Sequence, residues 1–421
     1  MSSRPPSSTV PPERPVRRLR GDWSASATLA GLVAVVVSYS GPVLVVLEAA
    51  RASGLSAELT SSWVWAMSIG SGVTCAVMSL WTRQPVMVAW SIPGAALLIT
   101  ALGDHTFSDA VGAYVVTGVL GLLLGVTGLF GKLLNAVPRP IVAAVLAGVL
   151  LPFSVDVAAA VVENPWVAGA LVVGYVLGRR FLPRYAVFAA LLLGAVTAGL
   201  RGRIEPVALD LALTEPVLTM PTFSWEAIVG ISIPLLIVTA AGQNAPGLAM
   251  MHSAGYEADD RLLLGASGVA SVVFAPFGSH ALNLAAVTAG IATSPESHPD
   301  IRRRYVAGIS CGLFYIVFGM FSTPIVTAFS AIPPGMITAL AGVALLGPLL
   351  GSLADTVSPG RHQPAVLEAA VITLVVTVSG IAPLGIVSAF WGILAGLAAY
   401  AVLCRPRAGS VHRNGPGSPR S

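Results

Sequence analysis

Charged residues are scarce in this chain of 421 residues, where they make up 10% of the composition. A soluble domain carries about 25% charged residues, so the scarcity excludes an ordinary globular protein. Intrinsic disorder is excluded as well, because it requires low hydrophobicity and high net charge. Hydrophobic residues instead make up 55% of the chain, and the mean hydropathy is +0.83. This composition predicts a protein that crosses a lipid bilayer many times, with about 20 apolar residues in each helix.

Cysteine, lysine and catalytic motifs are also scarce or missing. The three cysteines lie in or beside apolar segments, and their odd number argues against a disulfide framework. The basic residues are scattered rather than arranged in a stripe, so the net charge of +4 does not indicate a nucleic-acid-binding protein. We find no nucleotide-binding loop and no metal-binding spacing of cysteine and histidine. The sequence therefore predicts neither an enzyme nor a cofactor, and it favours an ion gradient as the energy source.

Fourteen apolar segments are predicted between two polar ends. The predicted regions are a disordered cytoplasmic tail (1–23), a first set of seven segments (24–202), an extracytoplasmic linker (203–224), a second set of seven segments (225–403) and another disordered cytoplasmic tail (404–421). With the amino terminus inside, all but three of the 23 basic residues fall on the cytoplasmic side, the exceptions being Arg51, Arg201 and Arg203. This asymmetry follows the positive-inside rule. It predicts a multi-pass protein of the inner (plasma) membrane with both termini cytoplasmic.

An odd number of segments in each set reverses the direction in which the second set enters the membrane. The predicted fold class is therefore an all-α membrane protein with fourteen transmembrane segments in a 7+7 inverted repeat, as in many secondary transporters. Segments 3 and 10 each begin with a proline-containing stretch, around 84–95 and 275–284. We predict that short extended stretches lead into half-helices there. Free N–H groups and the positive end of the helix dipole would then meet near the membrane centre, where they can bind an anion.

Few polar side chains lie inside the apolar segments. His280 is a functional candidate because an ionisable group there is rare and histidine titrates near neutral pH; the alternative is a neutral histidine bonded to a carbonyl group. Gln243 and Asn244 precede Pro246, which loosens the helix, so they either bind a polar ligand or join helices at a kink. Asn283 lies three residues after His280 and shares its helix face. The predicted substrate-binding residues are Tyr39, Ser91, Ile92, Gln243, Asn244, Ser279, His280 and Asn283.

Two of these stretches resemble the BenE family of benzoate/proton symporters. They are 242–247 (GQNAPG) and 275–286 (APFGSHALNLAA), and the resemblance extends over roughly 24–403. It implies a fold similar to that of nucleobase–ascorbate transporters, with a core domain of segments 1–4 and 8–11 and a gate domain of segments 5–7 and 12–14. It also implies a substrate site between segments 3 and 10, near segments 1 and 8, and a homodimer formed through the gate domain.

The resemblance further implies a secondary transporter that imports benzoate, or a similar aromatic carboxylate, together with a proton by elevator-type alternating access. His280 would carry or relay the proton, and the partners would be the substrate, the proton and the lipid bilayer. Nucleobase relatives place acidic residues where this chain has Gln243 and His280, which favours an aromatic carboxylate. The alternatives are a nucleobase or xanthine symporter of the same fold, a sulfate-permease relative, which the short tail after 404 disfavours, and a passive anion channel.

Overall fold

The structure, a computed structural model, describes residues 21–132, 137–203, 212–330, 334–357 and 364–403. The predicted tails beyond these bounds and residues 204–211 of the predicted linker lie outside the described residues. Most of the described chain is helical. The helices are α1 (Ala25–Ser40), α2 (Pro42–Ala52), α3 (Ala57–Thr82), α4 (Ile92–Ala101), α5 (Phe107–Thr127), α6 (Arg139–Glu163), α7 (Val167–Phe181), α8 (Ala186–Leu200), α9 (Trp225–Ser253), α10 (Asp260–Phe274), α11 (Ala286–Ala292), α12 (Tyr305–Met320), α13 (Ser322–Ser330), α14 (Pro334–Val357), α15 (Pro364–Val378) and α16 (Ser388–Leu403).

Seven helical runs in the described chain are long and apolar enough to cross a bilayer. One of them joins α1 and α2 across Gly41, and an eighth is added if α12 and α13, which meet at a bend of 67°, form one span. The other apolar helices, α4, α8, α15 and α16, are shorter. The all-α membrane fold is therefore confirmed, while the number of fourteen segments stays a prediction.

Two short strands confirm the extended stretches predicted for segments 3 and 10. They are β1 (Val88–Trp90), which precedes α4, and β2 (Leu282–Leu284), which precedes α11. The strands pair antiparallel, with Ala89 opposite Asn283. Backbone N–H and C=O groups cannot be left unpaired inside a bilayer. The strand pairing lets the two extended stretches form some of these hydrogen bonds with each other. It also fixes the starts of α4 and α11 side by side.

A tight turn before β2 requires glycine. Gly278 has φ +106°, and a Cβ placed there would lie 3.1 Å from the backbone of Trp63 in α3. A side chain at this position would meet both backbone strain and a steric contact. The close approach brings the loop between α10 and β2 against α3. Because His280 belongs to this loop, its side chain lies in the interior of the protein.

The helices pack into two groups. In the first group α3 packs on α12, α5 on α10, and α1 on α12; in the second, α6 packs on α14 and α15, α7 on α8, and α15 on α16. Gly72 and Gly312 face each other where α3 crosses α12, and a Cβ at either would lie within 3 Å of the other's carbonyl oxygen. Small residues of this kind allow close helix contact within a membrane. The assignment of the two groups to a moving core and a gate stays a prediction.

Candidate substrate-binding site

A cavity of about 990 Å³ lies between the two packing groups. Its walls come from α1, β1, α4, α9 and α11 on one side and from α6 and α14 on the other. Most of the lining is apolar, including Val142, Leu146, Ile237 and Val287. The volume lies at the upper end of the range for small-molecule sites, which are largely apolar with a few placed polar groups.

The starts of α4 and α11 both reach this cavity. Ile92 and Pro93 line it from α4, and residues 285–288 line it from α11. Ser91 caps α4, because its Oγ accepts a hydrogen bond from Gly94 N at 3.1 Å. Ala285 stands at the same place before α11 and provides no side-chain cap. Within the part of the chain that the structure describes, the first amides of α11 have no hydrogen-bond acceptor outside the helix, so they are donors at the positive end of a helix.

Gln243 is the predicted amide that faces the cavity. Its side chain is half-buried, lines the cavity and has no hydrogen-bond partner among the described residues. It lies in a π-helical stretch of α9, Ala240–Asn244, which ends just before Pro246. Such stretches are frequent at functional sites. An unpaired amide beside two helix starts can donate a hydrogen bond to a ligand carboxylate.

His280 lies behind the cavity and is fully buried. The indole Nε1 of Trp63 donates to His280 Nδ1 at 3.1 Å, and His280 Nε2 lies 2.9 Å from the carbonyl oxygen of Ser91. Because the indole nitrogen can only donate, Nδ1 is the acceptor and the ring proton is on Nε2. These bonds hold His280 in one neutral tautomer and join the loop before β2 to α3 and to the start of α4. Its role as a proton carrier stays a prediction, and protonation of Nδ1 would require the Trp63 bond to break.

The other two predicted amides hold the strands. Asn244 Oδ1 accepts from Leu284 N at 2.9 Å. Asn283 is fully buried, and in the amide orientation that satisfies both of its atoms, its oxygen accepts from Ser91 N at 2.9 Å. Neither residue lines the large cavity. Their contacts with the backbone indicate that they support the site rather than touch a ligand in this conformation.

Tyr39 and the two predicted serines also lie outside the cavity lining. The Tyr39 hydroxyl is 2.5 Å from Ser68 Oγ, and its ring packs edge-on against Trp90, which does line the cavity. Ser91 Oγ is 2.8 Å from Thr239 Oγ1, a contact that links α4 to α9. The Ser279 hydroxyl is buried without a partner among the described residues. Of the eight predicted residues, the structure thus brings Ile92 and Gln243 to the cavity.

Sequence reasoning missed the charged mouth of the cavity. Arg139 at the start of α6, Arg179 in the last turn of α7 and Asp355 near the end of α14 line it, and all three are exposed. In the sequence these arginines are interpreted only as positive charges that predict the cytoplasmic side of the membrane. The same signal could have indicated on which side the cavity opens.

A family model, described as "Benzoate membrane transport protein" (BenE), matches residues 21–402. The "Benzoate membrane transport protein" of Acinetobacter baylyi is 37% identical over 93% of this chain and 99% of its own length. The "Inner membrane protein YdcO" of Escherichia coli is 38% identical over 89% of this chain and 95% of its own length.

Solved structures of membrane transporters are also similar. The structure of SLC26A9 gives a TM-score of 0.62 at 12% identity and covers 93% of this chain and 67% of that chain. The transmembrane domain of the cyanobacterial bicarbonate transporter BicA gives 0.57 at 13% identity and covers 90% of this chain and 97% of that chain. At these identities the likeness shows the fold alone, which is that of inverted-repeat membrane transporters.

Proposed function

Because the chain belongs to the benzoate membrane transport protein (BenE) family, a family of membrane transporters and not of enzymes, we propose that it imports benzoate or a similar aromatic carboxylate together with a proton. The relative from Acinetobacter baylyi carries benzoate transport in its name, which supports the substrate class. The proposal extends that substrate to this chain, which is a multi-pass membrane protein.

The observation that carries the proposal is the meeting of two helix starts with Gln243 at one cavity. A carboxylate placed there would accept hydrogen bonds from the open amides at residues 286–288 and from the Gln243 side chain. Its aromatic ring would lie against the apolar wall formed by Val142, Leu146 and Val287. Partial charges at helix ends stabilise an anion without a fixed cation. An uncharged inner site suits a substrate that moves together with a proton, because the loaded site is then close to neutral.

Transport would proceed by an elevator-type movement of one packing group against the other. The cavity lies between the two groups and opens toward Arg139 and Arg179, for which the charge pattern predicts a cytoplasmic location. This conformation would release substrate to the cytoplasm. His280 would take part in proton coupling only through a movement that separates the loop before β2 from α3, because the Trp63 bond occupies its free nitrogen.

Uptake into proteoliposomes tests the proposal directly. Labelled benzoate should accumulate when the outside is made acidic, and accumulation should stop when a proton carrier dissipates the gradient. Uptake that does not depend on the gradient would contradict proton coupling. The absence of saturable uptake would contradict benzoate as the substrate. Competition by uracil or xanthine, with no competition by benzoate, would favour a nucleobase transporter of the same fold.

The mass of the detergent-solubilised protein tests the homodimer expected through α6–α8 and α14–α16.

A further inference from the structure

Helices α2 and α14 lie against each other, and α14 continues past the start of α2. Pro42 at the start of α2 lines the cavity, and so do Gly351 and Asp355 farther along α14. At the other end, Glu48 and Arg51 of α2 contact Thr338 of α14. Thr338 and Gly351 are thirteen residues apart, or about 20 Å along a helix. The same two helices therefore border an open cavity at one end and form a polar contact at the other.

The polar contact is closely connected. Glu48 is 5% exposed, although it is a carboxylate in an apolar helix. Arg51 donates to it twice, from Nε to Oε2 at 2.9 Å and from Nη2 to Oε1 at 2.5 Å. The Thr338 hydroxyl donates to Glu48 Oε1 at 3.2 Å and accepts from Arg51 Nη2 at 3.2 Å. Both helices thus share one hydrogen-bonded cluster, and we call Glu48, Arg51 and Thr338 the outer latch.

We propose that the outer latch closes the substrate path on the side opposite the cavity mouth and must open when the site faces that side. The inference rests on the alternating access of the proposed function. It adds the residues that keep the extracytoplasmic side closed, which lie outside the lining of the substrate cavity.

The distribution of the bonds explains why the latch can open reversibly. Glu48 and Arg51 are one helical turn apart on α2, so their ion pair stays intact when α2 and α14 separate. The separation breaks the two hydrogen bonds that join Thr338 to this ion pair. A buried carboxylate that lost its cation would be strongly destabilised, and this arrangement avoids that loss. Thr338 is consequently the residue whose hydrogen bonds form and break, while the ion pair of Glu48 and Arg51 stays intact on α2.

Accessibility of a cysteine tests the latch without any substrate. Ala341 lies one turn beyond Thr338 on α14 and is 1% exposed, so Ala341→Cys should react slowly with a membrane-impermeant maleimide added outside. Thr338→Val removes the hydroxyl and keeps the shape, and it should raise the labelling rate at least several-fold. Thr338→Ser keeps the hydroxyl and serves as the matched control, with an unchanged rate. The parent chain without Ala341→Cys reports background labelling of the natural cysteines. Equal rates in the valine and serine variants would overturn the proposal.

A disulfide provides a second, independent test. A Cβ at Gly41 would lie 3.5 Å from Cβ of Ala344 on α14, which is within the range for a disulfide. Gly41→Cys with Ala344→Cys should form a bond that holds α2 against α14 and stops benzoate transport until a reducing agent is added. Undiminished transport by the oxidised protein would show that the two helices need not separate. If labelling responds as expected but benzoate is not transported, the proposed substrate fails and the latch stands.

Discussion

Segments 3 and 10 share one construction, a short strand followed by a short helix, but they differ in how the helix begins. Ser91 caps α4 with its hydroxyl, which also contacts Thr239 of α9. Ala285 precedes α11 and caps nothing. The start of α4 is therefore partly satisfied by the protein, and the start of α11 is left open toward the cavity. The two related segments have separate tasks, since one is fixed in place and the other offers free donors.

The polar residues near these starts divide in the same way. Three of them bond to the backbone or to Trp63 and stabilise the pairing of the two strands: His280, Asn283 and Asn244. Gln243, adjacent to Asn244 in the chain, is left open to the cavity. Substitutions should consequently separate into those that lower stability and those that lower affinity.

The largest effect is expected from His280→Ala. It leaves the Trp63 N–H buried without a partner, at about 1–3 kcal/mol. It also removes one of the two hydrogen bonds that the Ser91 carbonyl accepts, the other being from Ala95 N. We expect a clear fall in melting temperature in detergent and loss of uptake. His280→Gln is the matched variant, because an amide can accept at one atom and donate at the other. A variant with unchanged melting temperature but altered pH dependence of uptake would instead support a proton-carrying His280.

A smaller loss of stability is expected from Asn244→Ala. The change removes the acceptor of Leu284 N, a buried backbone group in β2, at a cost of about 1–3 kcal/mol. Thermal unfolding in detergent measures the effect, and Gln243→Ala serves as the neighbouring control, with a melting temperature close to that of the parent. Equal shifts for both variants would contradict the division between supporting and ligand-facing amides.

The two interrupted segments could be predicted from sequence because proline and glycine act locally. Pro85 and Pro276 disfavour a regular helix where they stand, and neither prediction required knowledge of the fold. The family resemblance then placed the site between the two segments. What the pattern predicts well is thus the place where the chain leaves helical geometry.

The contacts of individual side chains could not be predicted. His280 bonds to Trp63 across 217 residues of sequence, and nothing local indicates that partner. Gln243 and Asn244 lie in a π-helical stretch, which shifts the helical phase so that the normal spacing does not reveal which amide faces the cavity. Contacts that are distant in sequence, or that depend on the helical phase, can be identified only from the three-dimensional structure.

An effect on affinity alone is expected from Gln243→Leu. The substitution removes the unpaired amide at the cavity and keeps a similar volume, so folding should be unaffected. Loss of one hydrogen bond to a carboxylate corresponds to about 1.5–3 kcal/mol, or roughly tenfold or more in KM for benzoate. Initial uptake rates over a range of benzoate concentrations measure this change. A normal KM would remove Gln243 from the substrate site.

The smallest effect is expected from Ala285→Ser, which gives α11 the kind of cap that α4 already has. Ala285 has extended backbone geometry, as an N-cap residue requires, so the new hydroxyl can accept from an amide of the first turn. The cap should stabilise the helix by about 0.5–1 kcal/mol and occupy one donor that a carboxylate would otherwise use. We therefore expect a slightly higher melting temperature together with a KM for benzoate raised by a few fold. Ala285→Gly, which adds no acceptor, is the control for a change in backbone freedom. If the serine variant gains stability but binds benzoate as before, the carboxylate does not lie at the start of α11.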